Sequence, residues 1–402
     1  MTNDEKWFEK KMDRREFLKK AGIGGAGLAL GVSGASAFFA NKAQEEKKIS
    51  DGGEEISFYG EHQAGITTPM QKNIYFVVLD LHSTNKEEVI KTFKDWTDYS
   101  SKLVDGELVK KDGSNALLPP SDTGETVGLN PYRLTLTFGV SADFLKKMGL
   151  EKKRPKEFRD LPPFPKEQLQ EKYTGGDIVI QACADDEQVA FHAVRNLVRK
   201  ARNTVTMKWS QSGFAAIGDR MSTPRNLFGF KDGTANVTKE KDFDQVIWTD
   251  SDDWMKGGTY MAVRRIQMFL ETWDRTNLQE QENTFGRYKE SGAPFGKKDE
   301  FDEVDLALLP VDSHVRLAKE VNKPIYRRSY SYSDGIVEKT GQFDTGLLFL
   351  AFQKNPDSFV KVQTNLGAQD KMNEYVTHIG SGLFACFAGV KKGEYLGQKL
   401  FE

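Results

Sequence analysis

Cysteine is nearly absent, with 2 in 402 residues. Two thiols exclude a disulfide framework and any zinc site built on four cysteines. Cys183 and Cys386 each lie in a strand-like apolar run and read as buried free thiols rather than as a bridge. Histidine is scarce as well: the 5 are His62, His82, His192, His314 and His378, so any site built on imidazole draws on a short list. Neither sign of charge dominates, because 57 Lys+Arg meet 59 Asp+Glu for a net charge of -2. That balance removes the global basic excess by which nucleic-acid binders are recognised. At roughly 100–200 residues per domain, the length predicts two domains, each able to bury a core.

Long hydrophobic runs are missing except near the start. Lys10, Lys11, Arg14, Arg15, Lys19 and Lys20 precede an uncharged stretch over 21–40, in which six residues are Gly and Ala35-Ser36-Ala37 offers a small-residue cleavage site. The stretch is long enough to span a bilayer, so a retained anchor competes with a cleaved signal. Gly22, Gly24 and Gly27 fit GxGxxG, but no strand precedes them, and a dinucleotide site is rejected. The organisation expected is a signal over 1–43, a charged linker over 44–56, an N-terminal domain over 57–212 and a C-terminal domain over 213–402.

Periodicity gives an α+β chain whose pattern is written twice. Strands at 73–81 and 133–140, a helix at 86–103 between them, then strand, helix and strand at 177–184, 187–202 and 204–209 make βαββαβ, the ferredoxin-like unit. A second unit follows: strand 259–270, helix 272–289, strands 325–332 and 347–353, helix 359–368 and strand 383–388. The crossover at 290–323 is far longer than its connection requires, and structureless loops of that length are usually functional.

Most of the histidines read as structural. His192 falls within an amphipathic helix, His82 ends a strand, and His62 and His378 sit near Gly-rich turns, YGEHQAGI and VTHIGSG, where a hydrogen-bonding role in loop geometry suffices. His314 differs, lying in the long crossover within DSHVRLA. A single imidazole with no HxxxH or Cys pair nearby argues against zinc and suits an axial haem ligand, which needs only one. In NLFGFKDGTANV, Gly229 and Gly233 flank Asp232 with residues that permit tight turns. In IYRRSYSYSDG, Arg327 and Arg328 are adjacent on a strand and point to opposite faces, one toward a cavity and the other toward solvent.

GFKDG, SHVRLA and IYRRSYSYSDG, in that order, resemble the dye-decolourising (DyP-type) haem peroxidases, and most closely their iron-uptake branch of deferrochelatase/peroxidases. The resemblance runs from FYGEHQAGI at Phe58 to THIGSGLFACFAG at Thr377 and takes in ETWDRTNLQEQENTFGR at 271–287. DRREFLKK at 13–20 is similar to a twin-arginine export signal, with Asp13 where Ser or Thr is more usual. The resemblance implies a dimeric α/β-barrel-like DyP fold with haem b in the C-terminal unit. It implies His314 as proximal iron ligand, Asp232 as distal carboxylate and Arg327 as distal arginine. Arg287 would hold a haem propionate, Phe349 would pack over the distal face, and Gly233, in the Asp232 turn, would also contact the haem. Some relatives carry Asn two residues past the distal arginine, where this chain has Ser329.

The resemblance further implies hydrogen peroxide and a one-electron donor as substrates: dyes, phenolics or ferrous iron. Electrons from bulky donors would travel through surface Tyr or Trp, with Trp248, Trp254, Trp273, Tyr330 and Tyr332 as candidates. Implied partners are the twin-arginine translocase, an iron permease with its accessory protein, and further copies of the chain in a homo-oligomer. The location implied is periplasmic, secreted or membrane-associated. Two other readings stand beside this one: a haem-binding, iron-extracting module whose peroxidase activity is incidental, and an exported binding protein without haem.

Overall fold

In the computed structural model, residues 55–111, 113, 115–217 and 223–402 are described; the expected export signal and nearly all of the linker lie outside them. Among the described residues there are nine strands: β1 (Asn73–Leu81), β2 (Thr135–Val140), β3 (Ile178–Ala184), β4 (Val205–Phe214), β5 (Thr259–Met268), β6 (Tyr326–Arg327), β7 (Tyr330–Val337), β8 (Gln342–Gln353) and β9 (Val376–Cys386). They join in the order β5-β9-β2-β3-β1-β4-β7-β8-β6, and β8 pairs again with β5, which closes the sheet into a barrel. β6 and β7 lie end to end along the same edge of β8. Within each half the order is therefore the same, β4-β1-β3-β2 and β9-β5-β8-β6/β7, with every neighbour antiparallel. Two seams join the halves: β2 to β9 at Gly139↔Cys386 and Val140↔Ala385, and β4 to β7 at Phe214↔Ser331.

Alternation along the strands assigns the two faces. Ile74, Phe76 and Val78 of β1 join Met261 and Val263 of β5, Leu348 and Leu350 of β8 and Phe384 of β9 in the cluster that fills the barrel. Val77, Leu79 and Leu81 point outward into a second cluster beneath the helices α1 (Lys86–Val104) and α2 (Glu187–Lys200). Both helices start on side-chain caps, Asn85 accepting from the Glu87 and Glu88 amides and Asp186 from Val189 N–H. Both thiols are free and buried, Cys183 on β3 and Cys386 on β9.

The second half departs from the sequence reading in three places. The helix expected over 272–289 breaks into Leu270–Trp273 and α3 (Leu278–Phe285), because Asn277 caps a new start through Glu280 N–H and Gly286, in left-handed conformation, ends it. The crossover is not structureless: a 3-10 turn, Leu306–Leu308, and α4 (His314–Glu320) lie within it, so His314 opens a helix. β9 begins at Val376, which puts His378 inside a strand rather than beside a turn. Gly380 reads as a turn residue but is a close-packed strand position, where a Cβ would come within 2.8 Å of Tyr173. A further helix, α5 (Pro356–Gln369), begins on Asn355 with Pro356 in its first turn and lies against β5 and β8.

Candidate active site

A cavity of about 400 Å³ opens on the outer face of the second half, between β5, β8 and β9 on one side and α4 and α5 on the other. Its walls are mainly apolar, with Ile266, Met268, Leu347 and Phe349 from the strands and Phe359, Val362 and Leu366 from α5. Asp232, Arg287, His314, Arg327 and Phe349 all line it, so five of the six residues singled out in the sequence converge on one space. The sixth, Gly233, expected to contact the cofactor, stands outside that lining and supplies the turn beside Asp232.

The loop bearing Asp232 is a tight hairpin. Arg225 pairs with Lys231, Asn226 N–H donates to the Phe230 carbonyl at 3.0 Å, and Asp232 N–H donates to the Pro224 carbonyl at 2.9 Å. Gly229 and Gly233 stand at φ +83° and +125°, conformations in which any other residue would be strained. The Asp232 carboxylate emerges from this turn and accepts at Oδ1 from Arg327 Nη1, 3.1 Å away. Beside it, Lys231 pairs with Glu300, and Thr234 Oγ1 donates to Glu300 Oε1 at 2.8 Å. Burial would raise the Glu300 carboxyl, but the hydrogen bonds from Lys231, Thr223 and Thr234 outweigh it and hold the group below its ordinary value.

Alternation separates the two arginines, as expected, but the second does not reach solvent. Arg327 enters the cavity, whereas Arg328 is only 2% exposed and turns into the barrel. There it donates to the Thr68 carbonyl at 2.5 Å and to Gln71 Oε1. Strand alternation specifies opposite faces, but closure of the barrel makes the inner face interior, and the outer face here is covered by helices. Arg287 is 8% exposed and uses Nη1 for the carbonyls of Gly292 and Glu300, at 2.7 and 2.9 Å. It also lines a smaller adjoining cavity of about 320 Å³, together with Glu300 and Lys319.

His314 Nδ1 lies 2.6 Å from Asp370 Oδ2. An ionised carboxylate only accepts, so Nδ1 carries the hydrogen and Nε2 keeps its lone pair for a ligand. Burial favours the neutral ring, but the charge and hydrogen bond of Asp370 outweigh it and raise the imidazole above its ordinary value. Asp370 itself is held by Met372 N–H, which donates to its other oxygen at 2.8 Å. Sequence reasoning did not find Asp370. Its only signal is a capping position ahead of a short 3-10 turn, shared by many aspartates.

The remaining histidines divide. His378 lines the same cavity, and burial, with Arg264 and His314 adding, pushes its pKa down to about 3. His62 donates from Nδ1 to the Gly257 carbonyl at 2.7 Å and stacks on Trp248, and His192 is bracketed by Thr126 and Asp122 at 3.0 and 2.8 Å. The proposed electron-relay candidates Trp248, Trp254, Trp273, Tyr330 and Tyr332 are all buried, so none is itself a surface oxidation site. Trp273 packs tilted against Phe228, with ring centroids 4.4 Å apart, in a cluster whose Phe285 meets the His314 ring at 6.4 Å.

Residues 63–215 match the N-terminal domain of the Dyp-type peroxidase family and residues 223–391 match its C-terminal domain. A deferrochelatase of Escherichia coli (strain UTI89 / UPEC) is 36% identical over 412 residues, covering 96% of each chain. Among solved structures, ferric DtpA from Streptomyces lividans is 36% identical with a TM-score of 0.81, covering 88% of this chain and 98% of its own. The DyP-type peroxidase from Cellulomonas bogoriensis is 34% identical with a TM-score of 0.80, covering 88% and 99%. Matched in both halves and alike in fold to solved members, the chain belongs to the Dyp-type peroxidase family and is a haem-dependent oxidoreductase.

Proposed function

We propose that this is an exported haem b peroxidase of the iron-uptake branch, in which His314 is the proximal iron ligand and Asp232 and Arg327 handle peroxide. The observation that carries the reading is the shared cavity: the Asp232–Arg327 pair and an imidazole held through Nδ1 by Asp370 line one apolar space.

The donor set fits the cofactor. The cavity volume lies within the roughly 300–1,000 Å³ of cofactor pockets. His314 has one ring nitrogen left to bind iron, Arg287 is a guanidinium suited to a propionate, and Phe349 offers a ring to pack on the distal face. Bound haem supplies the redox-active iron at which peroxide is reduced. Asp232 takes the proton from one peroxide oxygen and returns it to the other, which leaves as water. A positioned proton shuttle of this kind contributes roughly 10²–10⁴-fold. Arg327 stabilises the negative charge that develops as the O–O bond breaks. The apolar walls exclude water and strengthen both effects.

The deferrochelatase relatives support a link to iron handling, with iron removal from haem as a reaction; ferrous iron as a donor, and an iron permease and its accessory protein as partners, are proposed on the family resemblance alone. The same names favour one second reading, an iron-extracting module whose peroxidase activity is incidental. DRREFLKK supports export by the twin-arginine translocase; among the described residues no helix is long and apolar enough to cross a membrane. The repeated strand order supports two ferredoxin-like units, bounded near 57–212 and 213–402; assembly as a homo-oligomer is proposed on the family resemblance alone.

The test is the visible spectrum of wild-type, His314→Ala, Asp232→Asn and Arg327→Leu protein, with and without hydrogen peroxide. A Soret band lost or displaced in His314→Ala is expected, as is a peroxide-dependent spectral change slowed in the other two. Wild-type protein that takes up no haem on reconstitution would sink the proposal. An iron-release phenotype that survives Asp232→Asn would favour the second reading.

A further inference from the structure

Asn236 lies four residues beyond Asp232 on the same loop, and its amide engages both backbone groups of Arg327. Its Nδ2 donates to the Arg327 carbonyl at 2.7 Å, and its Oδ1 accepts from Arg327 N–H at 2.9 Å. β6 pairs with β8 along one edge, at Tyr326↔Phe352 and Arg327↔Ala351. On the opposite edge the Asn236 amide supplies the two hydrogen bonds that a further antiparallel strand would make. Asn236 is itself tied to the Asp232 turn, since its N–H donates to the Gly233 carbonyl at 2.9 Å.

We propose that Asn236 is the positioning residue of the peroxide-handling pair: it clamps the strand carrying Arg327 to the loop carrying Asp232 and so sets the separation of their side chains. The pair does not hold itself together. Its single contact, at 3.1 Å, is at the long end for a charged hydrogen bond, and both side chains are about one-fifth exposed, at 22% and 19%. Partly exposed ion pairs contribute little to holding their own geometry. The loop and strand are separated by about ninety residues of sequence, and Asn236 joins them at the residue that carries the guanidinium. Arg328 anchors the same strand on its other face, through Thr68 and Gln71, and Arg328 N–H donates to the Leu350 carbonyl at 2.9 Å. With those contacts fixing the strand against the barrel, Asn236 governs the remaining freedom, its distance from the Asp232 loop.

The inference rests on Arg327 having the role given above, and the test separates the two. Deuterium exchange over 325–330 is measured by mass spectrometry in haem-free and haem-loaded wild type and Asn236→Ala, alongside the peroxide rate and the KM for a dye. In Asn236→Ala the Arg327 amide should exchange at least about 10-fold faster in both forms, because it has lost its acceptor. The peroxide rate should fall on the order of 10–100-fold, as for a misplacement of about 1 Å, with haem content and dye KM unchanged. Asn236→Asp, which keeps the acceptor and loses the donor, should fall between. Placed on Arg327→Leu, Asn236→Ala should cost nothing more. Unchanged exchange, or a loss that adds in full on Arg327→Leu, overturns the proposal. A wild-type peroxide rate in Arg327→Leu overturns it too, and faster amide exchange in Asn236→Ala would then locate the failure in the role of Arg327 rather than in the clamp.

Discussion

The two halves share a strand order and differ in how their outer faces are covered. In the first, α1 and α2 lie directly on the sheet, and Val89, Phe93 and Trp96 close over Val77 and Leu79 in one buried cluster. In the second, α4 and α5 leave a space of about 400 Å³ over the equivalent surface of β5 and β8, and polar side chains project into it. The sheet gives both halves a rigid platform; the covering segments decide whether that platform becomes core or cofactor site. A long irregular crossover carrying a short helix can stand off from the sheet, whereas two well-capped helices of 19 and 14 residues pack down on it.

The contrast can be broken from either side, and the largest effect is expected on the open side. His314→Ala should abolish normal haem binding, read as loss or displacement of the Soret band, while the Tm of the haem-free protein stays near wild type. A fall in apo Tm as large as that of a core mutant would mean the cavity is also structural. On the closed side, Trp96 is fully buried and its indole N–H donates to the Leu197 carbonyl at 2.9 Å. Trp96→Ala should cost about 3–5 kcal/mol in chemical denaturation, with the Soret band of the folded fraction unchanged.

Asp370→Asn sharpens the comparison by removing charge without volume. Haem affinity should fall about 10–100-fold, as for other groups that orient a metal-binding histidine, and apo stability should change far less. The smallest effect concerns acid. Burial raises the Asp122 carboxyl, but the hydrogen bonds from His192 and from the Gly124 and Val109 amides outweigh it and lower the group overall. Glu125 is likewise lowered: burial opposes it and is outweighed by hydrogen bonds from Thr123 and Arg195. The unfolded chain then takes up these protons at higher pH than the folded one. The stability they confer is present above the ordinary carboxylate range and is lost as pH falls through the lower folded values. Asp122→Asn should therefore lose less Tm than wild type between about pH 6 and pH 3. Equal losses would remove these carboxylates as a source of acid sensitivity.

What could be read in advance followed from local periodicity. β1 was expected at 73–81 and is Asn73–Leu81, because NIYFVVLDL alternates against a helix start that Asn85 marks by capping. The second half was less legible. Asn277 interrupts a pattern that otherwise runs on as one helix, and the glycines after His378 serve close packing rather than a turn. Asp370 and Asn236 went unassigned because their roles depend on the partners they meet, at sequence separations of 56 and 91 residues.

Composition and motif order alone established an α+β chain without a disulfide framework, with five histidines on which any imidazole site must draw and with Asp232, His314 and Arg327 as its candidate reactive groups. These conclusions rest on residue type and short-range spacing, which the covalent chain specifies. Tertiary structure decided that the two sheets close into one barrel, that Arg328 is buried while Arg327 faces the cavity, and that Asp370 and Asn236 hold the His314 imidazole and the Arg327 backbone. Those outcomes depend on which distant segments meet across the barrel seams and along the cavity wall, and no local pattern encodes such a meeting.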